Sequence, residues 1–197
     1  MSRRRVVVTG LGIVSPVGNN IKTAWENILA GNSGIGPVTR FDVADFPVRF
    51  AGEIRDFDVS EYIPGKDARR MGAFIHYGIA AACQAIADSG IEITAANASR
   101  AGVAIGSGIG GLHGIENTFQ TYLQSGPRKI SPFFVPGNII NMIGGNLSSM
   151  YGLKGPNIAI ATACTTSTPN IGIAARSIAY GDADIMVAGG AEMTTCP

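Results

Sequence analysis

Short apolar runs of strand length alternate with longer segments of helical periodicity from one end of this chain to the other. Strand-length runs fall at 6–8, 49–54, 101–105, 157–161 and 184–188, and helical spacing of apolar residues falls at 23–30, 66–88, 112–123, 138–150 and 169–180. This alternation predicts an α/β fold in which helices cover both faces of a parallel or mixed sheet. Because no linker, repeat or low-complexity segment interrupts the pattern, residues 1–197 are expected to form one domain.

The small number of charged residues limits the kinds of protein that this chain can be. Hydrophobic residues make up 46% and charged residues 15% of the 197 residues, which excludes a disordered chain. The net charge of +1 gives no general attraction to nucleic acid or to anionic membranes. So few charges also suggest that a partner chain or further sequence covers part of the surface.

Export, membrane and metal signals are weak in this sequence. No apolar run approaches the roughly 20 residues of a spanning helix. Residues 1–8 are basic and then apolar, but Gly10, Gly12 and Pro16 interrupt this run too early for a signal peptide, so we expect a cytoplasmic protein. The three cysteines include no CxxC pair and the two histidines lie far apart, which argues against a disulfide framework and a metal site.

The segment 160–168 (IATACTTST) has the composition of a nucleophile elbow. A strand runs into small residues, then a single cysteine, Cys164, and then hydroxyl residues that begin a helix. A helix N-terminus carries partial positive charge, which stabilises a nearby thiolate. A cysteine in this position can equally be a packed small side chain, and these two interpretations are evenly balanced on the residues alone. Cys83 lies on a helix face and is predicted to be structural, and Cys196 has no elbow context.

Two other motifs suggest different chemistry. Gly106, Gly108 and Gly111 fit the GxGxxG pattern of dinucleotide-binding loops, but no acidic residue follows at the expected distance. A tight turn with close backbone packing explains these glycines better, and no cofactor is expected. His113 follows the loop, so a Cys164–His113 dyad of a thiol hydrolase is a further and weaker alternative.

Five basic residues form two clusters. Lys66, Arg69 and Arg70 are spaced i, i+3 and i+4 at the start of a predicted long helix, and Arg128 and Lys129 are adjacent. Cations at a helix N-terminus oppose the helix dipole, so helix stability does not explain the first cluster. The alternatives are a solvated face and a surface that binds an acidic partner or a phosphate-bearing substrate.

Seven segments of the chain resemble motifs of the β-ketoacyl-acyl carrier protein synthases of bacterial type II fatty acid synthesis. They are RRVVVTGLG at 4–12, SPVG at 15–18, GSGIGG at 106–111, RKISPFFVP at 128–136, YGLKGP at 151–156, TACT at 162–165 and ADIMVAGGAE at 183–192. The resemblance covers the whole chain, and its motifs are most similar to those of the synthase II subgroup. It implies a thiolase-like α/β fold, of which residues 1–197 would be the N-terminal half, with a mixed five-strand sheet and helices on both faces.

The resemblance also implies a reaction and the residues that carry it. The family lengthens an acyl thioester with malonyl-acyl carrier protein by decarboxylating Claisen condensation, and the cysteine matching Cys164 accepts the acyl group. Ile109 matches the side chain that gates the acyl pocket. Phe134 and the helix from residue 138 match the segment that lines this pocket and the homodimer interface. The positions at which the family presents cations to its acidic carrier protein match Lys66, Arg69, Arg70, Arg128 and Lys129.

Two departures from the family pattern bear on activity. The family's catalytic His pair, its supporting Lys and its second oxyanion-hole amide come from a C-terminal half that is absent here, and neither His76 nor His113 matches them. Condensation by residues 1–197 is therefore expected to be absent, whereas acylation of Cys164 needs only a thiolate, one amide and a pocket. Pro169 stands where the subgroup often has His, so the regular helix is expected to begin after Thr166.

Two other hypotheses remain open beside the condensing enzyme. One is a non-catalytic half-domain that binds carrier protein or a synthase subunit. A dehydrogenase that uses a nicotinamide cofactor is the weaker of the two, because its support is the glycine pattern alone.

Overall fold

A computed structural model describes residues 4–197 of the chain. Residues 1–3, which begin the segment considered above as an export signal, lie outside the described residues. The helices are α1 (Ile21–Leu29), α2 (Gly65–Ala68), α3 (Ala73–Ser89), α4 (Leu112–Ser125), α5 (Phe134–Asn138), α6 (Met142–Tyr151) and α7 (Ser167–Tyr180). The strands are β1 (Ile35–Pro37), β2 (Phe50–Gly52), β3 (Ala101–Gly106), β4 (Asn157–Ile158) and β5 (Ile185–Gly190).

The main sheet consists of three parallel strands in the order β4-β3-β5. Its longest register runs from Ala101 opposite Ile185 to Gly106 opposite Gly190, so β3 and β5 end side by side. The other two strands, β1 and β2, form a separate antiparallel pair. The expected mixed sheet of five strands is therefore wrong in its arrangement: the described residues form five strands, but in two sheets.

Helices cover both faces of β3, as the alternation of strands and helices predicts. One face carries Val103 and Ile105, which pack into a core with α3 and α6 that contains the fully buried Phe74, Ile79, Ile143 and Leu147. The other face carries Gly102 and Gly106, and a Cβ on Gly106 would approach the side-chain nitrogen of Asn170 on α7 to 2.9 Å. Successive residues of a strand point to opposite faces, so the small residues let α7 approach the sheet closely.

The predicted buried strand at 6–8 is wrong. This segment lies outside the sheets of residues 4–197, and Val8 is 78% exposed. Farther along, the backbone lies against α3 and bonds to side chains there: Leu11 N–H donates to Asp88 at 2.9 Å, and Ile13 N–H donates to Gln84 at 3.2 Å. The β-branched run thus gives extended backbone without a strand partner.

The predicted helix at 66–88 is two helices, α2 and α3, separated at residues 69–72. Gly72 N–H donates to Gly137 O at 2.9 Å, where a continuous helix would have bonded it to residue 68. A Cβ on Gly72 would come within 2.9 Å of that same oxygen, so the chain crossing requires glycine here. The end of α3 is as predicted, with Gly90 in the left-handed conformation (φ 65°).

The remaining helices and strands follow the predictions with shifted ends. The helix expected from residue 138 begins at Met142 as α6, and the short α5 precedes it. Strand pairing at 157–161 is limited to Asn157 and Ile158. Within the described part of the chain, the helices are all too short or too polar to cross a membrane.

Candidate active site

Cys164 lies in the loop that joins β4 to α7, and it is the exposed one of the three cysteines. The residue before it, Ala163, has a φ of +53°, which is the left-handed region that favours glycine. Such a conformation costs about 1–2 kcal/mol for an L-residue other than glycine, and it persists only where the surroundings enforce it. A sharp, strained turn that exposes one nucleophilic side chain between a strand and a helix is the geometry of a nucleophile elbow.

Two threonines close this turn with their hydroxyl groups. Thr166, which is 5% exposed, donates from Oγ1 to Ala163 O at 2.7 Å and accepts from Thr162 N–H at 3.0 Å. Thr165 Oγ1 donates to Thr162 O at 2.8 Å. The predicted hydroxyl residues therefore do more than begin the helix: they hold the two residues that precede Cys164.

Asn170, on α7, holds the backbone that follows β4, and its side chain is fully buried. Its Oδ1 accepts from Ile160 N–H at 3.1 Å, and its Nδ2 donates to Ile160 O at 2.9 Å and to Thr166 O at 2.7 Å. One amide side chain thus replaces the strand partner that Ile160 lacks. Sequence reasoning missed Asn170; the signal available was a polar residue one turn before the buried Ala174, on the same face of α7.

The helix α7 begins at Ser167, with Thr166 as its N-cap, which confirms the predicted start. Pro169 lies in the first turn, where its missing N–H costs no helical hydrogen bond, and Thr168 N–H donates to the Thr165 carbonyl instead at 2.9 Å. Cys164 stands three residues before the first residue of α7. Stabilisation of its thiolate by the helix remains a prediction.

The glycine loop after β3 packs directly against the turn. A Cβ on Gly108 would lie 3.1 Å from the Cα and the carbonyl oxygen of Ala163. Glu192, two residues after β5 ends, accepts hydrogen bonds from Ser107 Oγ at 2.9 Å, Ile109 N–H at 2.8 Å and Gly110 N–H at 3.2 Å. Sequence reasoning also missed this carboxylate, although the paired ends of two parallel strands would have placed it here.

These contacts argue against the dinucleotide alternative. A phosphate-binding loop presents free N–H groups to its ligand. In this loop, the N–H groups of Ile109 and Gly110 are bonded to a carboxylate, and Gly111 N–H donates to Asn138 O at 3.0 Å. The sequence GSGIGG therefore serves internal packing here, as the sequence interpretation favoured.

The histidines make other hydrogen bonds, and the structure gives no support to the Cys164–His113 dyad, which the sequence left as a weaker alternative. His113 Nε2 lies 3.0 Å from Asn117 Nδ2, one turn farther along α4, and His76 Nε2 lies 2.9 Å from Ala68 O. Burial lowers the pKa of His76, which favours its neutral form. Residues 4–197 contain no group of three or more His, Cys, Asp or Glu side chains placed to hold a metal ion.

The other two cysteines differ from Cys164 in their surroundings. Burial raises the pKa of the Cys83 thiol, which lies beside the Tyr151 hydroxyl on the core side of α3. Burial also raises the pKa of Cys196, and the Glu116 carboxylate adds to this effect. Both thiols are thereby held in the protonated, less nucleophilic form.

The two predicted pocket residues lie on different segments, Ile109 in the glycine loop and Phe134 in α5. Ile109 is 54% exposed at the tip of the loop, adjacent to the segment that carries Cys164. Phe134 is half-buried at the start of α5, which packs on α4. Asn138, at the end of α5, links the two because its carbonyl accepts the hydrogen bond from Gly111.

The two basic clusters lie on neighbouring segments. Arg70 stacks over the ring of Phe133, with its guanidinium carbon 4.3 Å from the ring centroid, and Phe133 follows Lys129 by four residues. A cavity of about 350 Å³ lies beside this contact and is lined partly by Arg70, Phe133 and Met142. The five cations predicted to bind a partner are all exposed: Lys66, Arg69, Arg70, Arg128 and Lys129.

Comparison with known proteins gives a consistent result. The family model described as Beta-ketoacyl synthase, N-terminal domain, matches residues 3–197. The 3-oxoacyl-[acyl-carrier-protein] synthase 2 of Vibrio cholerae is 61% identical over 197 residues, which are 100% of this chain and 48% of the relative. The corresponding synthase 2 of Coxiella burnetii is 55% identical over the same share of each chain. The chain thus spans about half the length of the curated relatives that it matches.

Solved structures agree on the fold. A crystal structure of a Beta-ketoacyl synthase from Burkholderia phymatum has a TM-score of 0.85 at 30% identity, with 100% of this chain and 48% of that chain covered. These values establish the thiolase-like α/β fold of ketosynthases for the described chain.

Proposed function

Because the chain belongs to the β-ketoacyl synthase family and matches its N-terminal domain, we propose that Cys164 is the nucleophile of a condensing enzyme. The observation that carries the proposal is the strained turn at Ala163, which presents an exposed thiol while two threonines and Asn170 hold the turn in place. Strain of this kind is a feature of functional sites, and packing alone gives no reason for it.

The proposed first step is the transfer of an acyl group from one sulfur to another. The Cys164 thiolate attacks the carbonyl carbon of an acyl thioester, and a new carbon–sulfur bond forms. The bond to the carrier's sulfur breaks, and the carrier leaves as a thiolate that takes up a proton from solvent. No oxidant or reductant is needed, because the oxidation state of the carbonyl carbon does not change.

The whole protein is proposed to complete a decarboxylating Claisen condensation. Malonyl-acyl carrier protein loses carbon dioxide, its α-carbon bonds to the acyl carbonyl carbon, and Cys164 sulfur leaves. The product is an acyl chain two carbons longer on the carrier protein. The family supplies two histidines and a lysine for this step from sequence that follows the N-terminal domain, so residues 1–197 alone are proposed to carry acyl transfer without condensation.

The pocket residues are proposed from their positions. Ile109 would gate the acyl pocket, since the loop that carries it abuts Ala163. Phe134 would line the pocket from the start of α5, whose last residue, Asn138, bonds to that loop. Residues 1–197 are proposed to be one domain, with cofactor-free chemistry and a cytoplasmic location; three unpaired cysteines are typical of a reducing compartment.

The proposed partner is an acidic acyl carrier protein. Five exposed cations on two neighbouring segments support this, and net charge alone would not produce such a cluster. One matching solved structure is described as a type II PKS acyl-carrier protein in complex with its ketosynthase bound to the hexaketide; the match has a TM-score of 0.84 at 27% identity and covers 99% of this chain and 53% of that chain.

We also propose that the chain forms a homodimer through a further surface on α4. Four apolar side chains of α4 are 45–66% exposed and recur at the spacing of one helix face: Ile115, Phe119, Tyr122 and Leu123. An exposed apolar stripe of this kind is costly in water and marks an interaction surface. Its proximity to α5 agrees with the resemblance of the segment after Phe134 to a dimer interface.

The test is intact-protein mass spectrometry after incubation with octanoyl-acyl carrier protein. Wild type and the matched control Cys196→Ala should gain one octanoyl group, and Cys164→Ala should gain none while it melts within a few degrees of wild type. Equal acylation of Cys164→Ala would overturn the assignment.

The second candidate function is a half-domain that only binds carrier protein. The exposed basic surface favours it as much as it favours an enzyme. It predicts carrier-protein binding by wild type and by Cys164→Ala alike, with no acyl group retained on either.

A further inference from the structure

Glu192 is an anchor for the glycine loop that the family resemblance does not assign. Its two carboxylate oxygens receive three hydrogen bonds from one four-residue segment: Oε1 accepts from Ser107 Oγ and Gly110 N–H, and Oε2 accepts from Ile109 N–H at 2.8 Å. Hydrogen bonds to an ionised acceptor are about twice as strong as those between neutral groups. One side chain therefore determines the path of the backbone on both sides of Ile109.

The other end of the loop is also fixed. Gly110 has a φ of +85°, and Gly111 N–H donates to Asn138 O at 3.0 Å. Toward the nucleophile, a Cβ on Gly108 would touch Ala163 at 3.1 Å and Glu192 Oε2 at 2.9 Å. Ile109 thus projects, 54% exposed, from a backbone held between the Cys164 turn and α5.

We propose that Glu192 is a positioning residue for acyl-chain selection, because it holds the backbone that carries Ile109. The inference rests on the proposed function, in which acyl chains reach Cys164 past Ile109. A chain long enough to meet Ile109 must displace it, and the hydrogen bonds to Glu192 resist that displacement. Short chains do not meet this resistance, so Glu192 favours them over long ones.

The near-isosteric variant Glu192→Gln tests this directly. Its amide NH₂ replaces one acceptor oxygen and so faces the N–H of either Ile109 or Gly110, and at least one charge-assisted bond to the loop backbone is lost. Loss of one such bond is expected to raise the ratio of tetradecanoyl to hexanoyl transfer about tenfold. Ser107→Ala removes a side-chain donor and leaves both main-chain N–H bonds that hold the backbone at Ile109, so its ratio should change less than about threefold.

The experiment uses the purified protein with hexanoyl- and tetradecanoyl-acyl carrier protein and measures acylation rates of Cys164 by mass spectrometry. Glu26→Gln is the matched control, because it changes the same charge on the exposed surface of α1. Hydrogen exchange of a peptide spanning 107–111 provides a second readout, which should be faster in Glu192→Gln and unchanged in Glu26→Gln. If Glu192→Gln does not fold, Glu192→Asp, whose shorter side chain cannot reach all three donors, replaces it.

The outcomes separate this inference from the proposed function. Absence of acylation in wild type would contradict the proposed function itself. Acylation of wild type with an unchanged chain-length ratio in Glu192→Gln, whether both rates stay the same or fall together, would overturn the positioning role. A shifted ratio with faster exchange of the loop supports it.

Discussion

Replacement of Asn170 by Ala should destabilise the protein and loosen the turn that carries Cys164. The side chain is fully buried and satisfies three main-chain groups: Ile160 N–H, Ile160 C=O and Thr166 C=O. Alanine leaves all three without this partner and opens a small cavity. Because both effects act on the segment that precedes Cys164, stability and the proposed acyl transfer should fall together.

The size of the effect follows from the number of bonds. A buried polar group left unsatisfied costs about 1–3 kcal/mol. Ile160, which contributes two of the three groups, is half-buried, so water can reach part of the site, and the lower end of that range for each group gives the smallest expected loss. The sum is about 3 kcal/mol, which lowers the melting temperature of a domain of this size by about 6–12 °C.

Urea unfolding followed by circular dichroism measures this loss. The matched control is Asn146→Ala on α6, whose side chain makes one hydrogen bond, to Met142 O at 2.7 Å, and is half-buried. It should cost about 1 kcal/mol. A loss in Asn170→Ala no larger than in Asn146→Ala would refute the reasoning, as would an unchanged rate of Cys164 acylation in a destabilised Asn170→Ala.

Three other predictions follow from the surface of the molecule. Arg69→Glu should weaken carrier-protein binding about tenfold at low salt, with the difference shrinking as salt is added, measured by calorimetry; equal affinities would indicate a merely solvated face. Phe119→Glu should weaken dimerisation more than tenfold in analytical ultracentrifugation, because a buried charge would lack a partner; an unchanged dimer would place the interface elsewhere. Hydrogen bonds from Arg100 and Arg4 lower the pKa of Asp184 to about 2 from 3.8, so its contribution to stability is present above pH 3.8 and lost as pH falls toward 2. Arg100→Gln should therefore destabilise the protein at neutral pH, with a difference from wild type that becomes smaller as pH falls toward 2 in acid titrations of unfolding; a constant difference would contradict this.

Local sequence patterns predicted those parts of the fold in which burial and periodicity coincide. The apolar run at 101–105 is the central strand β3, and the segments around α1, α4 and α7 are helices close to their expected bounds. The sharp turn that carries Cys164 also lies where the sequence predicted it, between β4 and α7. In each case, residues close together in the sequence determine the local structure.

The wrong predictions involve partners distant in the chain. Val8 lies in a β-branched run typical of a strand, yet this segment is not paired with β4, β3 or β5, and the backbone after it bonds to side chains of α3. The break between α2 and α3 depends on a hydrogen bond from Gly72 to Gly137, 65 residues away in the chain. Such contacts leave no periodic signal in either segment alone.

The candidate site likewise contains one residue that local sequence predicted and one that depends on a contact distant in the chain. Cys164 was predicted from its own context, whereas Glu192 lies 83 residues after the Ile109 N–H that it binds. The parallel register of β3 and β5, with Gly106 opposite Gly190, is what brings the two together. Knowledge of that register would have identified the carboxylate, because residues beyond the carboxyl ends of adjacent parallel strands share one edge of the sheet.

The central claim is that Cys164 accepts an acyl group from a carrier thioester. The most direct measurement is a single-turnover reaction in which released carrier thiol is counted and the acylated peptide is sequenced by mass spectrometry. The account predicts one thiol released per protein chain and an acyl group on the peptide that contains Cys164. Thiol release without a retained acyl group, or an acyl group on Cys83 or Cys196 in place of Cys164, would contradict it.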